Sequence, residues 1–278
     1  STIIECGKDV VDISFSPEDV LMLDSLAKEH GVSVVVDAGV APGIPNFLLG
    51  YWNSKMLINS FDYCVGGLPK NPSPPYNYKA PFSPIDVIEE YTRPARMMID
   101  SKIITKPALS DIEILEIPKV GKLEAFNTDG LRSLLKTMKH IPNMKEKTLR
   151  YPGHAKLMQS MIDEGLFDKN NFDNTITKLF KDWKLKENEP EFTVLDINIY
   201  GDTKNIHYHL YDEMDIGSKS SSMARTTGYT ATATINMLLQ SLWNKKGVYP
   251  PEKVGENASC INFLLSYLSE RNVKITQT

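Results

Sequence analysis

Arg150, Tyr151 and His154 fall within one short run, RYPGH, and together could act on an amino acid. A guanidinium is a planar, permanently charged fork that grips a carboxylate through two parallel hydrogen bonds. An imidazole exchanges protons near neutral pH. The Pro-Gly pair between them turns the chain sharply enough to aim side chains into a cleft. The same residues also suit a structural ion pair. Other constellations carry less. His207 and His209 alternate along a strand, as metal ligands can, but no third ligand is evident, so a polar strand face is expected. Glu89 and Glu90 are neighbours on a helix and do not share a face, which suits a solvated helix end. The run RTTGY at 225–229 reads as a helix start, where an anion is favoured or where simple capping suffices.

These residues need a scaffold, and residues 34–46, VVVDAGVAPGIPN, organise it. An uninterrupted β-branched run suits a parallel strand covered on both faces. The loop after it, with Gly39, Pro42 and Gly43, marks the carboxyl end of that strand. Ligands of open α/β sheets bind there, and an ordinary strand-to-helix loop fits the pattern equally well. Upstream, 10–15 (VVDISF) reads as a strand. Ser16 and Pro17 open a helix running to His30, and Gly31 stops it. Strand, helix and strand make a βαβ unit with a right-handed crossover. Ser1 to Cys6 reads as the end of a helix capped by Gly7, as though the domain began further upstream.

After a helix at 44–52 the character changes. A strand at 61–67 leads into a connection rich in Pro and aromatics, and Ser83-Pro84 starts a short helix. Strand patterns follow near 97–105, with Asp100-Ser101-Lys102 as a hairpin turn, and near 112–126. Residues 130–138 read as a helix, 148–151 as a short strand, and 155–164 and 172–185 as helices. Residues 192–200 and 205–212 form an antiparallel pair. Helices at 223–243 and 257–270 close the chain.

Composition sets limits. Lys plus Arg number 31 against 35 for Asp plus Glu, a net charge of −4. Nothing in that balance favours nucleic acid, which wants a basic stripe. No apolar run is long enough to cross a bilayer, and the opening STIIECGKD has neither part of a secretory leader. Cys6, Cys64 and Cys260 are too few and too scattered for a metal set or a disulfide framework, so a reducing, cytoplasmic compartment is expected.

Taken together, DAGVAPGIPN, YCVGGLP, YKAPFSPIDVIEEYTRPA, KLEAFNTDGLRSLL, TLRYPGHAKLM, GYTATATINMLL and GVYPPE resemble the saccharopine dehydrogenase (saccharopine reductase) family, most nearly its lysine 6-dehydrogenase branch. The resemblance implies an α/β fold: a partial Rossmann-type piece (1–54), an α+β substrate and dimerisation domain (55–222) and C-terminal helices returning to the Rossmann side (223–278). It implies an oxidoreductase that uses NAD or NADP on the C–N bond of lysine or a lysine-derived amino acid, and a homodimer. Saccharopine reductase and carboxynorspermidine dehydrogenase are the alternatives within the class. A non-catalytic dimerisation module is the alternative outside it, because the family's G-x-G-x-x-G turn does not occur here.

On this reading Arg150, with Arg93 in reserve, captures the substrate carboxylate, and His154 is the base. Tyr151, Asn127 and Asp129 are further substrate contacts. Ser14, Phe15, Asp37, Ala38, Gly39 and Cys64 lie near nicotinamide and ribose. No metal is expected.

Overall fold

The computed structural model describes residues 1–14 and 18–278, so Phe15 and the expected helix start at Ser16-Pro17 lie outside the described residues. A single turn, α1 (Thr2–Glu5), precedes the short strand β1 (Val10–Val11). A 3-10 turn at Val20–Leu23 runs into α2 (Asp24–Glu29), so the expected single helix is two shorter pieces. Gly31, at a φ of 63°, reverses the chain into β2 (Ser33–Val35). Helix α3 (Ile44–Asn53) and the long strand β3 (Ile58–Pro69) follow. Helix α4 (Pro84–Thr92) has Pro84 in its first turn after Ser83. Next come β4 (Ala95–Ile99) and β5 (Lys102–Lys106), joined through Asp100 and Ser101. Both turn residues have positive φ, as a tight hairpin requires. Strands β6 (Glu113–Ile117) and β7 (Gly121–Asn127) form a second hairpin. Between 130 and 138 the helix shrinks to α5 (Leu134–Thr137).

Strand β8 (Asn143–Arg150) is longer than expected and central. Helices α6 (His154–Asp163) and α7 (Phe172–Trp183) lead to the antiparallel pair β9 (Glu191–Gly201) and β10 (Asn205–Glu213), which agrees with the sequence pattern. The chain closes with α8 (Ser222–Leu239), β11 (Gly247–Tyr249), α9 (Pro251–Gly255), α10 (Ala258–Glu270) and β12 (Ile275–Gln277).

Two sheets result. β1 and β2 pair in parallel, Val10 opposite Val34, and β11 joins the other side of β2, also in parallel. All of β2 is buried, as a strand covered on both faces must be. The large mixed sheet has the order β12-β10-β9-β3-β8-β4-β5, with β7 also on β8. Along β8 the neighbour changes: Met144 pairs with Met98 of β4, and residues 147–150 pair with β7. β3 and β8 run parallel, Val65 opposite Thr148, so both strands end on the side of the small sheet's loops. Apolar side chains of α3, α5, α8 and α10 pack with the sheet's inner face into the main core, including Phe47, Ile197, Met237 and Leu264. A second core gathers Tyr78, Tyr91, Phe126, Leu149 and Trp183 under α4, α6 and α7. Among the described residues no helix is long and apolar enough to cross a membrane.

Candidate active site

The loop after β2 is held by its backbone. Asp37 turns the chain at a φ of 54°, and the Ala38 N–H donates to the Asp12 carbonyl at 3.0 Å, tying the loop to the end of β1. Ile44 N–H donates to Gly39 O at 3.2 Å, closing a ring from 39 to 44. Gly43 has a φ of 142°, and a Cβ there would lie 1.8 Å from Gly39 O. Only glycine fits that position. Asn46 accepts from the Gly43 N–H at 3.3 Å, which fixes the start of α3.

This loop forms one wall of a cleft of about 350 Å³. Ser14, Asp37 and Gly39 contribute from the small-sheet side. Val65, Gly66 and Gly67 of β3, Thr148 and Arg150 of β8, Asp86 and Glu90 of α4, and Met223 and Thr227 of α8 contribute from the other. Asp37 also borders a neighbouring cavity of about 400 Å³, with Arg93, Arg96, Asp129 and Arg132. There the Arg132 Nε donates to both Asp37 oxygens, at 3.0 and 3.1 Å, across the two sheets. Burial pushes the Asp37 carboxyl up, and the Arg132 charge pulls it back.

Arg150 is buried, yet it reaches the cleft wall. Its Nε donates to the Tyr91 hydroxyl at 2.7 Å and its Nη1 to the Leu149 carbonyl at 2.9 Å. Nη2 stands 3.4 Å from a Glu90 oxygen. The guanidinium carbon lies 4.5 Å from the centre of the Tyr78 ring, within cation–π range.

The structure corrects the role expected of His154. Its Nε2 meets the Tyr91 hydroxyl at 2.9 Å and its Nδ1 meets the Tyr76 carbonyl at 2.8 Å. A carbonyl only accepts, so Nδ1 carries the proton and Nε2 accepts from Tyr91. Burial, with the nearby Arg150 charge, pushes the imidazole down to about 3. It is packed among Tyr78, Tyr91 and Trp183 and does not line the cleft. A relay results: Arg150 donates to Tyr91, Tyr91 to His154, and His154 to Tyr76. His154 therefore positions Arg150 through Tyr91.

Other expected residues divide between the cleft and its surroundings. Ser14, Asp37, Gly39 and Arg150 line the cleft. Cys64 does not, because a strand alternates its faces. Its neighbour Val65 faces the cleft, while Cys64 shares the opposite face with Asp62, Lys147 and Asp196. Ala38 is wholly buried. Tyr151 donates to the Pro69 carbonyl at 2.9 Å, away from the cleft. Asn127 donates to Ser110 Oγ and to Asp111, holding the connection before β6. Asp129 takes the Arg96 fork at 2.9 and 2.8 Å and, with Arg93, borders the neighbouring cavity. Arg93 pairs with Glu89.

Arg225, in the expected anion-favouring helix start, instead forks onto Asp212 at 3.1 Å through both Nε and Nη2. His207 and His209 both bond to Asp196, and no metal-holding group occurs among the described residues.

Sequence reasoning missed Glu90, Asp86, Thr148 and Arg132. A signal for the first two was present: Asp86 and Glu90 are spaced i, i+4 and so share a helix face. The separation of Glu89 from Glu90 was read correctly, but it sends Glu89 to Arg93 and Glu90 to the cleft.

Comparison with known proteins agrees with this architecture. The apo, histidine-tagged saccharopine dehydrogenase (L-Glu forming) of Saccharomyces cerevisiae superposes with a TM-score of 0.75 at 18% identity, covering 100% of this chain and 80% of the other. The homospermidine synthase of Legionella pneumophila, solved in complex with NAD, gives 0.66 at 11% identity, covering 99% and 72%. At these identities the likeness is one of fold. Among curated sequences, the mitochondrial alpha-aminoadipic semialdehyde synthase of Bos taurus is 24% identical over 165 residues, 54% of this chain and 18% of that protein. The Arabidopsis thaliana alpha-aminoadipic semialdehyde synthase is 26% identical over 186 residues, 60% of this chain and 17% of that protein. The chain thus spans less than a fifth of the length of these two curated relatives. Residues 39–273 match the family model described as the saccharopine dehydrogenase C-terminal domain, and the chain belongs to the saccharopine dehydrogenase family.

Proposed function

We propose that this chain forms the substrate side, and the nicotinamide end of the cofactor side, of an NAD- or NADP-dependent oxidoreductase acting on the C–N bond of a lysine-derived amino acid. The observation that carries this reading is the cleft itself. Its one wall is the strand-end loop of the small parallel sheet, and its other wall presents Arg150 and Glu90. Strand ends are where α/β folds bind their cofactors, and a fixed cation opposite suits a carboxylate.

The residues present fit the nicotinamide end of a dinucleotide. Ser14, Asp37 and Gly39 sit at the strand ends, and Gly39, Gly66 and Gly67 put backbone on the cleft walls. No G-x-G-x-x-G run occurs in the 278 residues, so this chain brings no such turn to the diphosphate. When bound, the dinucleotide supplies the hydride acceptor. The protein's own part is to hold the carboxylate beside Arg150, to keep the carbon to be oxidised against the loop, and to manage the amine proton.

Within the class, the lysine 6-dehydrogenase reading rests on the sequence resemblance, and a saccharopine substrate is the second reading, favoured by the names of the relatives. Lysine, saccharopine and carboxynorspermidine, each offered with NAD and with NADP, separate them by the growth of reduced-nicotinamide absorbance. No growth with any of the three overturns the enzyme reading in favour of a dimerisation module. The homodimer remains part of the proposal, built on the half-open face of the large sheet around Asp62, Cys64, Asp196 and Tyr200. A monomer by light scattering at micromolar concentration counts against it. A reducing, cytoplasmic setting fits three free thiols.

A further inference from the structure

Among the described residues that line the cleft, the charged side chains are Asp37, Asp86, Glu90 and Arg150. Asp37 has both oxygens on the Arg132 Nε. Arg150 keeps its charge at any working pH. Glu90 is different. It stands one helical turn beyond Asp86 on the side of α4 that faces the cleft, while Val87, Ile88 and Tyr91 bury the other side. Its side chain is 20% exposed, and its hydrogen-bond partner is Arg150 Nη2, at the long distance of 3.4 Å. Glu90 is therefore reachable from the cleft and lightly held.

We infer that Glu90 is the residue that takes the proton from the substrate's amine, with Arg150 beside it binding the substrate carboxylate. The inference rests on the oxidoreductase reading above. The balance is simple. The ammonium N–H bond breaks and its proton passes to a Glu90 oxygen. The freed lone pair forms the C=N bond as the adjacent C–H bond breaks. The hydride, with both electrons, goes to an oxidised nicotinamide dinucleotide, the oxidant of this step. Water then hydrolyses the resulting iminium ion to the carbonyl compound, and the nitrogen leaves as an ammonium group.

The surroundings suit the exchange. Burial pushes the Glu90 carboxyl up to about 7, Asp86 on the same helix adds to the rise, and Arg150 from β8 and Arg93 from α4 pull it back. Glu146, further down β8, and Tyr78 also feel its charge. A carboxyl balanced near neutrality is matched to general acid–base work. Sequence reading assigned this work to His154, whose nitrogens are both committed elsewhere.

The test compares the complete wild-type protein with Glu90→Gln and Glu90→Asp. The expected result for Glu90→Gln is a loss in kcat of about 100-fold or more. The acid limb near pH 7 in the kcat/KM profile disappears with it, while the melting temperature stays close to that of the wild type. Glu90→Asp keeps the limb at a reduced rate. Carboxyl NMR supplies a readout apart from activity: of the glutamate resonances that titrate near pH 7 in the wild type, that of Glu90 is missing from Glu90→Gln while that of Glu191 remains. An active Glu90→Gln with an unchanged pH profile overturns the inference and leaves the oxidoreductase reading standing. So does a Glu90 resonance that titrates in the ordinary carboxylate range. A wild type inactive on every amino acid in the screen overturns both. If Glu90→Gln does not fold, the resonance and the profile of Glu90→Asp decide.

Discussion

The two walls of the cleft are built by different means. The loop from Asp37 to Gly43 is shaped by backbone: a left-handed turn at Asp37, a ring closed between Gly39 and Ile44, and a position at Gly43 that admits no Cβ. The opposite wall is shaped by side chains. Arg150 is aimed by Tyr91, which is held by His154, which is held by the Tyr76 carbonyl. A backbone wall is written in consecutive glycines and prolines. A side-chain wall draws on residues from 76 to 154 that only the fold brings together. The first kind can be read from a sequence, and the second mostly cannot.

The largest expected effect breaks the backbone wall. Gly43→Ala forces a Cβ to within 1.8 Å of Gly39 O, so the ring must open or α3 must shift. Strain of that kind, at a buried position, is expected to cost about 4 kcal/mol. Thermal unfolding measures it. A loss below about 1 kcal/mol would show that the ring is not what holds the loop.

Next comes the side-chain wall. Arg150→Ala is expected to reduce kcat/KM for the amino-acid substrate by about 100-fold, or ~3 kcal/mol. It also destabilises the fold, because Tyr91 and Glu90 lose a buried partner. Arg150→Lys rescues only part, since an ammonium cannot keep the Nε bond to Tyr91 and also lie over the Tyr78 ring as a plane. Cofactor affinity should barely change. A melting-temperature loss with a normal kcat/KM in the folded protein would make Arg150 a purely structural cation.

The same division explains what was legible in the sequence. The βαβ start, the hairpin at Asp100-Ser101 and the β9–β10 pair were readable because each is local: periodicity, a turn and a register. Strand β11 was not, because only three residues join the small sheet, from more than two hundred positions away from β2. Of the expected residues that line the cleft, Asp37 and Gly39 were legible from strand-end logic and Arg150 from a fixed cation beside a turn. His154 was placed in the right neighbourhood with the wrong task, since residue type does not reveal which nitrogens are taken. Cys64 was one residue out of phase, and on a strand one residue is the other face. Glu90 was passed over because Glu89 and Glu90 together read as a solvated helix end, whereas Glu90 turns to the cleft.

A smaller effect probes the relay behind Arg150. The imidazole of His154 sits at about 3 in the fold against an ordinary 6.5. Between those values the unfolded chain binds a proton that the folded one refuses, so stability is lost as pH falls from 6.5. The slope for one such group approaches 1.4 kcal/mol per pH unit. His154→Gln removes that slope, and it should cost about 2 kcal/mol at pH 7, because the flexible amide does not fill the ring's place among Tyr78, Tyr91 and Trp183. Denaturant titrations at pH 7 and about 5.5 separate the two contributions. A wild type equally stable at both values, with the variant parallel to it, would refute the buried neutral imidazole.

The last effect has the opposite sign and lies one layer behind the same wall. Glu146 is buried on β8, and one of its oxygens accepts from Thr128 Oγ1 at 2.7 Å and from the Gly130 N–H at 3.0 Å. Burial pushes its carboxyl up to about 8, while the Thr128 hydrogen bond pulls it back. Here the folded chain keeps a proton that the unfolded chain has released above the ordinary 4.5. Stability is therefore present below 4.5 and is lost as pH rises through that window towards 8. Glu146→Gln keeps an oxygen for Thr128 and Gly130 and has no proton to lose. It should match the wild type near pH 5 and become the more stable of the two as pH rises to 8. Glu90 and Glu191, pushed up to about 7 in the same fold, contribute the same trend to both proteins, so the difference between the two curves isolates Glu146. Parallel curves from pH 5 to 8 would mean that Glu146 is ionised in the fold. The wall behind Thr148 would then hold a buried negative charge.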